Sequence, residues 1–390
     1  MARLAFERLL DLIRPVAAEM RERVTARDPD GRISAMLDQQ ILAALSDGFH
    51  IWLMGDSRQP MLRRSLTSAV NLAAPNCDTT YYYAAIDGRG TYRLSGIRGG
   101  AMFANVSLGP LWQLSGQLAT VRGNHALDSL RIDADGRFSV IISEERPAGH
   151  DGDWWPLDPA VEALGLREVF YRWGEEAPSR VALERLDVPG RVEPCGGAER
   201  EARMLRLVEW VRGQTLMWLD HSRKLAENGQ PNVIGWQNYG GSGVPGQAYY
   251  EGVFELDPGE ALVFETAVPD PCRYWSVLLA DRVFSTVDWI NHQSSLNGAQ
   301  ARLDADGRFR AVIALSDPGV PNWLDPAGLT QGIVQGRWLG CEDTPLPTLA
   351  RVPLAALRDH LPPDTPAVLP VERDAAMRAR RVGAHLSGIL

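Results

Sequence analysis

The chain has almost no lysine. Among its 40 basic residues, Lys224 is the only one that is not arginine. A Schiff-base or lysine general-base mechanism therefore has a single candidate, set in a polar, helix-like stretch. Cysteine is scarce as well. Cys77, Cys195, Cys272 and Cys341 stand far apart, with no CxxC and no tight metal spacing, and read as free thiols in a reducing compartment. No apolar run reaches the ~18 residues that a membrane helix requires. At the start, Arg3, Glu7, Arg8 and Asp11 interrupt any signal-peptide apolar region. Together these absences point to the cytoplasm, with no membrane partner.

Positive charge is also in deficit. There are 40 basic residues against 49 acidic ones, a net charge of −9, which argues against a nucleic-acid partner because a phosphate backbone needs a basic footprint. The histidines (His50, His125, His150, His221, His292, His360 and His385) form no HxH or HExxH, so no metal is expected. The carboxylates fit no calcium loop. The chain has no GxSxG; Ser242 in "YGGSGVPG" is a faint echo of it without the expected strand and helix. That loop also lacks the context of a phosphate cradle. The expectation is a chain without a cofactor.

What is present is a helical beginning and a long strand-rich remainder. "FERLLDLIRPVAAEM" sets Phe6, Leu9, Leu10 and Ile13 on one helical face, and a second helical pattern begins at Ser34 with Met36, Leu37, Ile41 and Leu45. Beyond about residue 81, strand-length runs such as "TYRLSGI", "AMFANVSL" and "RFSVIIS" alternate with turn residues. Three ordered phrases then recur at a near-constant offset of about 170 residues, the signature of a duplication. "DADGRF" occurs at Asp133 and Asp304, a Trp-Asp-Pro phrase surrounds Asp158 and Asp325, and an Arg-Trp pair closes each copy at Arg172 and Arg337. Tyr82-Tyr83 answers Tyr249-Tyr250 upstream.

The fold expected is mainly β with flanking helices, built from tandem duplicated β-sandwich or jelly-roll-like units. Its parts are a helical lead-in over 1–74, a first β-unit over 75–185, a linking helix and Gly-rich loop over 186–244, a second β-unit over 245–355, and a Pro-rich linker with a C-terminal helix over 356–390. The linking helix is read from Leu205, Leu207, Val208, Val211, Leu216 and Leu219. The last helix is a peripheral clamp or an arm for homo-oligomer formation.

The phrases "GVFELDPGEALVFE", "STVDWINHQSSLNGAQ" and "SDPGVPNWLDPAGLTQGIVQGRWL" resemble the bacterial family built on the domain of unknown function numbered 1214, often found beside a related domain numbered 1254. The first half resembles it through "NCDTTYYYAAIDGRGTYRLSGIRGG" and "LREVFYRWGEE". The chain departs from the pattern at Cys77, where proline is expected, and at Gly328-Leu329 in place of "AGH". The resemblance implies a β-rich fold and no particular activity.

Three clusters could carry chemistry. In "NCDTTYYYAAID", Asp78 is a candidate acid or base and Tyr82 a candidate proton donor, although Asn76 and Asp78 could equally bond backbone amides in a turn. In "DWINHQSSLNGAQ", present in only one copy, Asp288 and His292 are catalytic candidates and Asn297 a binding one. The rigid "SDPGVPNWLDPAG" loop offers Asn322, Trp323 and Asp325, the strand after it offers Arg337, and the Gly-rich "GWQNYGGSGVPGQAYY" loop offers Asn238 and Tyr239. Duplicated residues such as Asp325 and Arg337 lean toward structure, as an Arg–Asp bond from strand end to loop. The function expected is a cofactor-independent enzyme that performs hydrolysis, hydration, elimination or isomerisation by acid/base chemistry on a small, largely apolar or polycyclic metabolite. The alternative is a non-catalytic small-molecule carrier or accessory protein.

Overall fold

In a computed structural model, residues 5–24, 31–110, 121–239 and 244–390 are described. Ser242 lies outside them. Alternation of apolar and polar side chains builds two sandwiches in succession. The first uses β1 (Arg63–Ser65), β2 (Thr79–Ala85), β3 (Tyr92–Ile97), β4 (Phe103–Gly109), β5 (Gly123–Ala126), β6 (Arg137–Ser143), β7 (Asp153–Pro156), β8 (Ala163–Val169) and β9 (Arg180–Arg185). The second uses β10 (Gly235–Gln237), β11 (Gln247–Glu255), β12 (Glu260–Ala267), β13 (Cys272–Ala280), β14 (Ser295–Asn297), β15 (Arg308–Ala314), β16 (Trp323–Leu324), β17 (Gln331–Cys341) and β18 (Thr348–Pro353).

The two units share one wiring. A five-stranded sheet runs β1-β2-β8-β4-β5 in the first unit and β10-β11-β17-β13-β14 in the second. A four-stranded sheet runs β7-β6-β3-β9 in the first and β16-β15-β12-β18 in the second. The pairings are antiparallel except β6 with β7 and β15 with β16, which are parallel and occupy the same place in each unit. One face of each five-stranded sheet packs on its four-stranded partner. Leu94, Val106, Val140, Leu164 and Leu166 meet in the first core, and Phe264, Val277, Phe309, Val334 and Trp338 in the second. The opposite faces of the two five-stranded sheets look toward each other, and Phe103, Val169, Tyr274 and Leu339 pack across the junction.

Helices α1 (Ala5–Arg23), α2 (Arg32–Gly48) and α3 (Gly197–Asn228) cover one side of that junction. Buried positions Met204, Leu207, Val211, Leu216 and Leu219 of α3 recur with the helical period, whereas Leu205 is on the exposed side. Helix α4 (Pro370–Leu386) lies against the junction rather than apart from it. Arg380 donates to the Trp289 carbonyl (2.6 Å) and to Ser295 Oγ (2.7 Å), and stacks 4.5 Å from the Trp173 ring.

The register corrects two sequence pairings. Tyr81 lies opposite Arg167 on β2/β8, and Tyr249 opposite Arg337 on β11/β17. The counterpart of Arg337 is therefore Arg167, not Arg172, and Tyr249 answers Tyr81, not Tyr82. Arg172 falls beyond the end of β8 and is exposed. The expected strand-to-loop Arg–Asp bonds are replaced as well, because Asp158 accepts from Arg122 and Asp325 from His292. The cysteines are corrected in part. Cys77 and Cys195 are free, but Cys272 and Cys341 are cross-strand neighbours joined as a disulfide, which their distance in sequence conceals. Among the described residues, no helix is long and apolar enough to cross a membrane.

One buried acid gives the fold a pH signature. Asp47 is 2% exposed and accepts a 2.6 Å hydrogen bond from Ser65 Oγ. Burial pushes its carboxyl up to about 6, against the smaller opposing effect of Ser65. Its folded value lies above its unfolded one, so its stabilising contribution is complete below pH ~3.9 and is lost as pH rises through about 6. Asp47→Asn is therefore expected to be more stable than the parent at pH 8, by about 2–3 kcal/mol, with no advantage at pH 4. Urea unfolding at the two pH values measures this.

Candidate functional site

Between the facing five-stranded sheets lies a cavity of about 100 Å³. Strand alternation dictates which side chains enter it. On β8, Leu164 and Leu166 point into the sandwich core and Arg167 points out; on β17, Val334 and Trp338 point in, and Gln335 and Arg337 point out. Each arginine covers the tyrosine opposite it: Arg167 is 5.9 Å from the Tyr81 ring centroid and Arg337 is 5.6 Å from that of Tyr249. The two Arg–Tyr pairs are equivalent by register and face one cavity from opposite sheets.

Around this shared pair the units differ. Where the first unit has Tyr83, Gly165, Asn105 and Phe103, the second has Glu251, Gln335, Ser276 and Tyr274. Those replacements hold most of the titratable chemistry. Glu251 is 2% exposed, and both its oxygens are engaged. His221 Nε2 donates to Oε2 (2.8 Å); Gln335 Nε2 (2.7 Å) and the Tyr239 hydroxyl donate to Oε1. Gln335 Nε2 also lies 3.0 Å from Tyr239 Oη, and Gln335 Oε1 accepts from Arg337 Nη2. Burial, and then the charge of Glu251, push the Tyr239 hydroxyl well above its ordinary value, so it keeps its proton. The edge of Phe284 and the ring of Trp218 wall the His221 imidazole.

A second network lies behind the cavity wall. Asn76 donates its backbone N–H to Tyr81 Oη (3.0 Å) and its side-chain amide to Tyr274 Oη (2.9 Å). Tyr274 in turn donates to Asp78 Oδ2 (2.7 Å), while Asn297 (2.8 Å) and Trp173 (2.9 Å) donate to Oδ1. Burial raises the Asp78 carboxyl above its usual range, partly offset by these three donors and by the charge of Arg380. The backbone is unusual at the same place. Leu66, Ala73 and Ala74 line the cavity and have φ of 28°, 63° and 42°, a region that non-glycine residues rarely adopt outside constrained sites.

Of the residues singled out from sequence, Tyr239 and Arg337 line the cavity, and Asp78 and Asn297 meet directly behind it. The others lie elsewhere. Tyr82 packs against the first sandwich core, on the opposite face of β2 from Tyr81. Asp288 is exposed and closes its own turn, accepting from the backbone of Ile290 and Asn291 and from the Asn291 side chain. His292 Nδ1 pairs with Asp325 Oδ2 at 2.7 Å, half exposed and away from the cavity. Asn322 staples Arg302 to Arg310 through their backbones, and the Trp323 indole donates to the Ala314 carbonyl. Asn238 is exposed and does not line the cavity. Sequence reasoning missed Tyr81, Arg167, Tyr249, Glu251, His221 and Gln335. Among the described residues, no three His, Cys, Asp or Glu side chains are grouped to hold a metal ion.

Residues 256–331 match a family model described as a protein of unknown function, DUF1214, and the chain resembles that family over this segment. The segment lies within the second unit and contains neither Arg–Tyr pair. No curated protein matches. Among solved structures, an uncharacterised protein from Burkholderia cenocepacia has a TM-score of 0.83 at 24% identity, covering 90% of this chain and 97% of that one. This likeness shows the fold. A protein from Vibrio parahaemolyticus gives a TM-score of 0.46 at 11% identity over 80% of this chain and 98% of that one, too low to argue from.

Proposed function

We propose that the cavity between the two sandwiches binds a small organic molecule and that Tyr239, Glu251 and His221 form a proton relay serving its acid/base turnover. The observation that carries this reading is the asymmetry of the duplicated site. The Arg–Tyr pair is repeated in both units, whereas among the described residues the hydrogen-bonded Tyr239–Glu251–His221 row is found on the second side alone. A ligand proton arriving at Tyr239 Oη is matched by transfer of the tyrosine's own proton to Glu251 Oε1. The net base is then the carboxylate, and the phenol remains protonated throughout. His221 Nε2 holds the other carboxylate oxygen, which fixes the orientation of Glu251 toward Tyr239.

The test combines exposure to a metabolite extract with native mass spectrometry, followed over time. A retained compound that changes mass in the parent protein and persists unchanged in Glu251→Gln supports the relay. The expected loss of turnover is about 10²–10⁴-fold, the usual worth of a positioned acid/base group. Undiminished turnover in Glu251→Gln would remove the relay. A second reading, binding without turnover, is favoured by one feature: Tyr239 is already bonded on the protein side by both Glu251 and Gln335. A compound retained but never converted by the parent protein selects that reading.

A further inference from the structure

We infer that the ligand of this cavity is a small organic anion whose carboxylate pairs with Arg337. This inference rests on the cavity-binding reading and specifies its substrate class.

Arg337 is 4% exposed, and a guanidinium stays protonated whatever its surroundings. A buried charge normally has a counter-ion, because the desolvation cost of an unpaired one is large. Among the described residues, Arg337 has no ion pair. Its bonds are the one from Nη2 to the neutral Gln335 amide and the stacking over Tyr249, and Nη1 has no hydrogen-bond partner. The nearest carboxylate in the network, Glu251, is committed to His221, Tyr239 and Gln335. The guanidinium thus lines the cavity with Nη1 buried and unpartnered and with no carboxylate paired to it among the described residues, while Arg167 adds a second positive charge from the opposite sheet. A carboxylate fits the planar fork of donors that arginine presents. The remainder of the lining decides what the carboxylate is attached to. Leu66, Ala73, Ala74 and the Trp218 ring form an apolar end, so the ligand has an apolar body and one charged head. Within the expected class of largely apolar ligands, this inference selects an amphiphilic one.

The test uses benzoate and its neutral isostere benzamide as probes, measured by calorimetry on the full chain in low-chloride buffer at neutral pH. The expected result is that benzoate binds at least about tenfold more tightly than benzamide, the discrimination of one charge-assisted contact. Arg337→Met should remove that preference without unfolding the protein, because an apolar side chain of similar length replaces an unpaired buried charge. Arg337→Lys serves as the second variant and should retain part of the preference through its charge. Equal binding of both probes, or a preference that survives in Arg337→Met, overturns the anion assignment and leaves the cavity reading standing. Failure of both probes to bind the parent, with Val244→Trp in the cavity lining giving the same blank titration, overturns the anion assignment and the cavity reading together.

Discussion

Asp78→Ala is expected to lower the unfolding free energy by about 3–5 kcal/mol, the range for removing one member of a buried, charge-assisted network. Asp78 comes from the turn before β2 of the first unit. Two of the side chains that donate to it, Tyr274 and Asn297, belong to the second. Its loss leaves the part-buried Trp173 indole without this acceptor and takes the charged acceptor from the Tyr274 phenol and the Asn297 carboxamide, which keep only Ser276 Oγ or Asn76 Oδ1 and the Tyr171 carbonyl. Asp78→Asn retains an oxygen for two of the donors while the Tyr274 hydroxyl turns toward Ser276 Oγ at 2.9 Å. It should cost less, about 1–2 kcal/mol. Urea unfolding measures both, and a double-mutant cycle with Tyr274→Phe isolates the bond that spans the units. A loss below ~1 kcal/mol in Asp78→Ala would mean that the network does not hold the units together.

The duplication was legible because turn phrases such as "DADGRF" survive in both copies, and Gly136 and Gly307 both take a left-handed conformation, with φ of 77°. The site was less legible, and the reason is register. The Arg-Trp dipeptide matches Arg172 to Arg337 by identity, but Arg172 lies past the strand. Alternation gives the true pairing: Leu164, Leu166 and Arg167 on β8 stand as Val334, Gly336 and Arg337 do on β17. The same alternation separates Tyr81 from Tyr82 and would have directed attention to the former. Glu251 and His221 offered no local cue. They meet because α3 crosses the junction between two sheets, and no spacing along the chain encodes that crossing. Conversely, the dense "DWINHQ" segment drew attention through composition, yet Asp288 uses its carboxylate on its own turn.

Gly336→Ala should be among the costliest single-methyl additions in the chain, at about 3 kcal/mol, the upper range for overpacking a core. Gly336 lies directly opposite Tyr250 on the sandwich side of β17. A Cβ built there would stand 2.1 Å from the Tyr250 ring, and Tyr250 is 1% exposed between Phe264 and Trp338. The ring cannot swing aside, so the strand must lift. Lifting β17 moves Gln335 and Arg337, which project from its other face into the cavity. The stability loss should therefore be accompanied by weaker benzoate binding, even though Gly336 touches no ligand. Tyr250→Val makes room for the methyl group. In Gly336→Ala/Tyr250→Val the combined loss should fall short of the sum of the singles by at least ~1 kcal/mol, and benzoate binding should recover with it. Additive losses, or a binding defect that persists after the core is relieved, would show that the glycine does not set the position of Arg337.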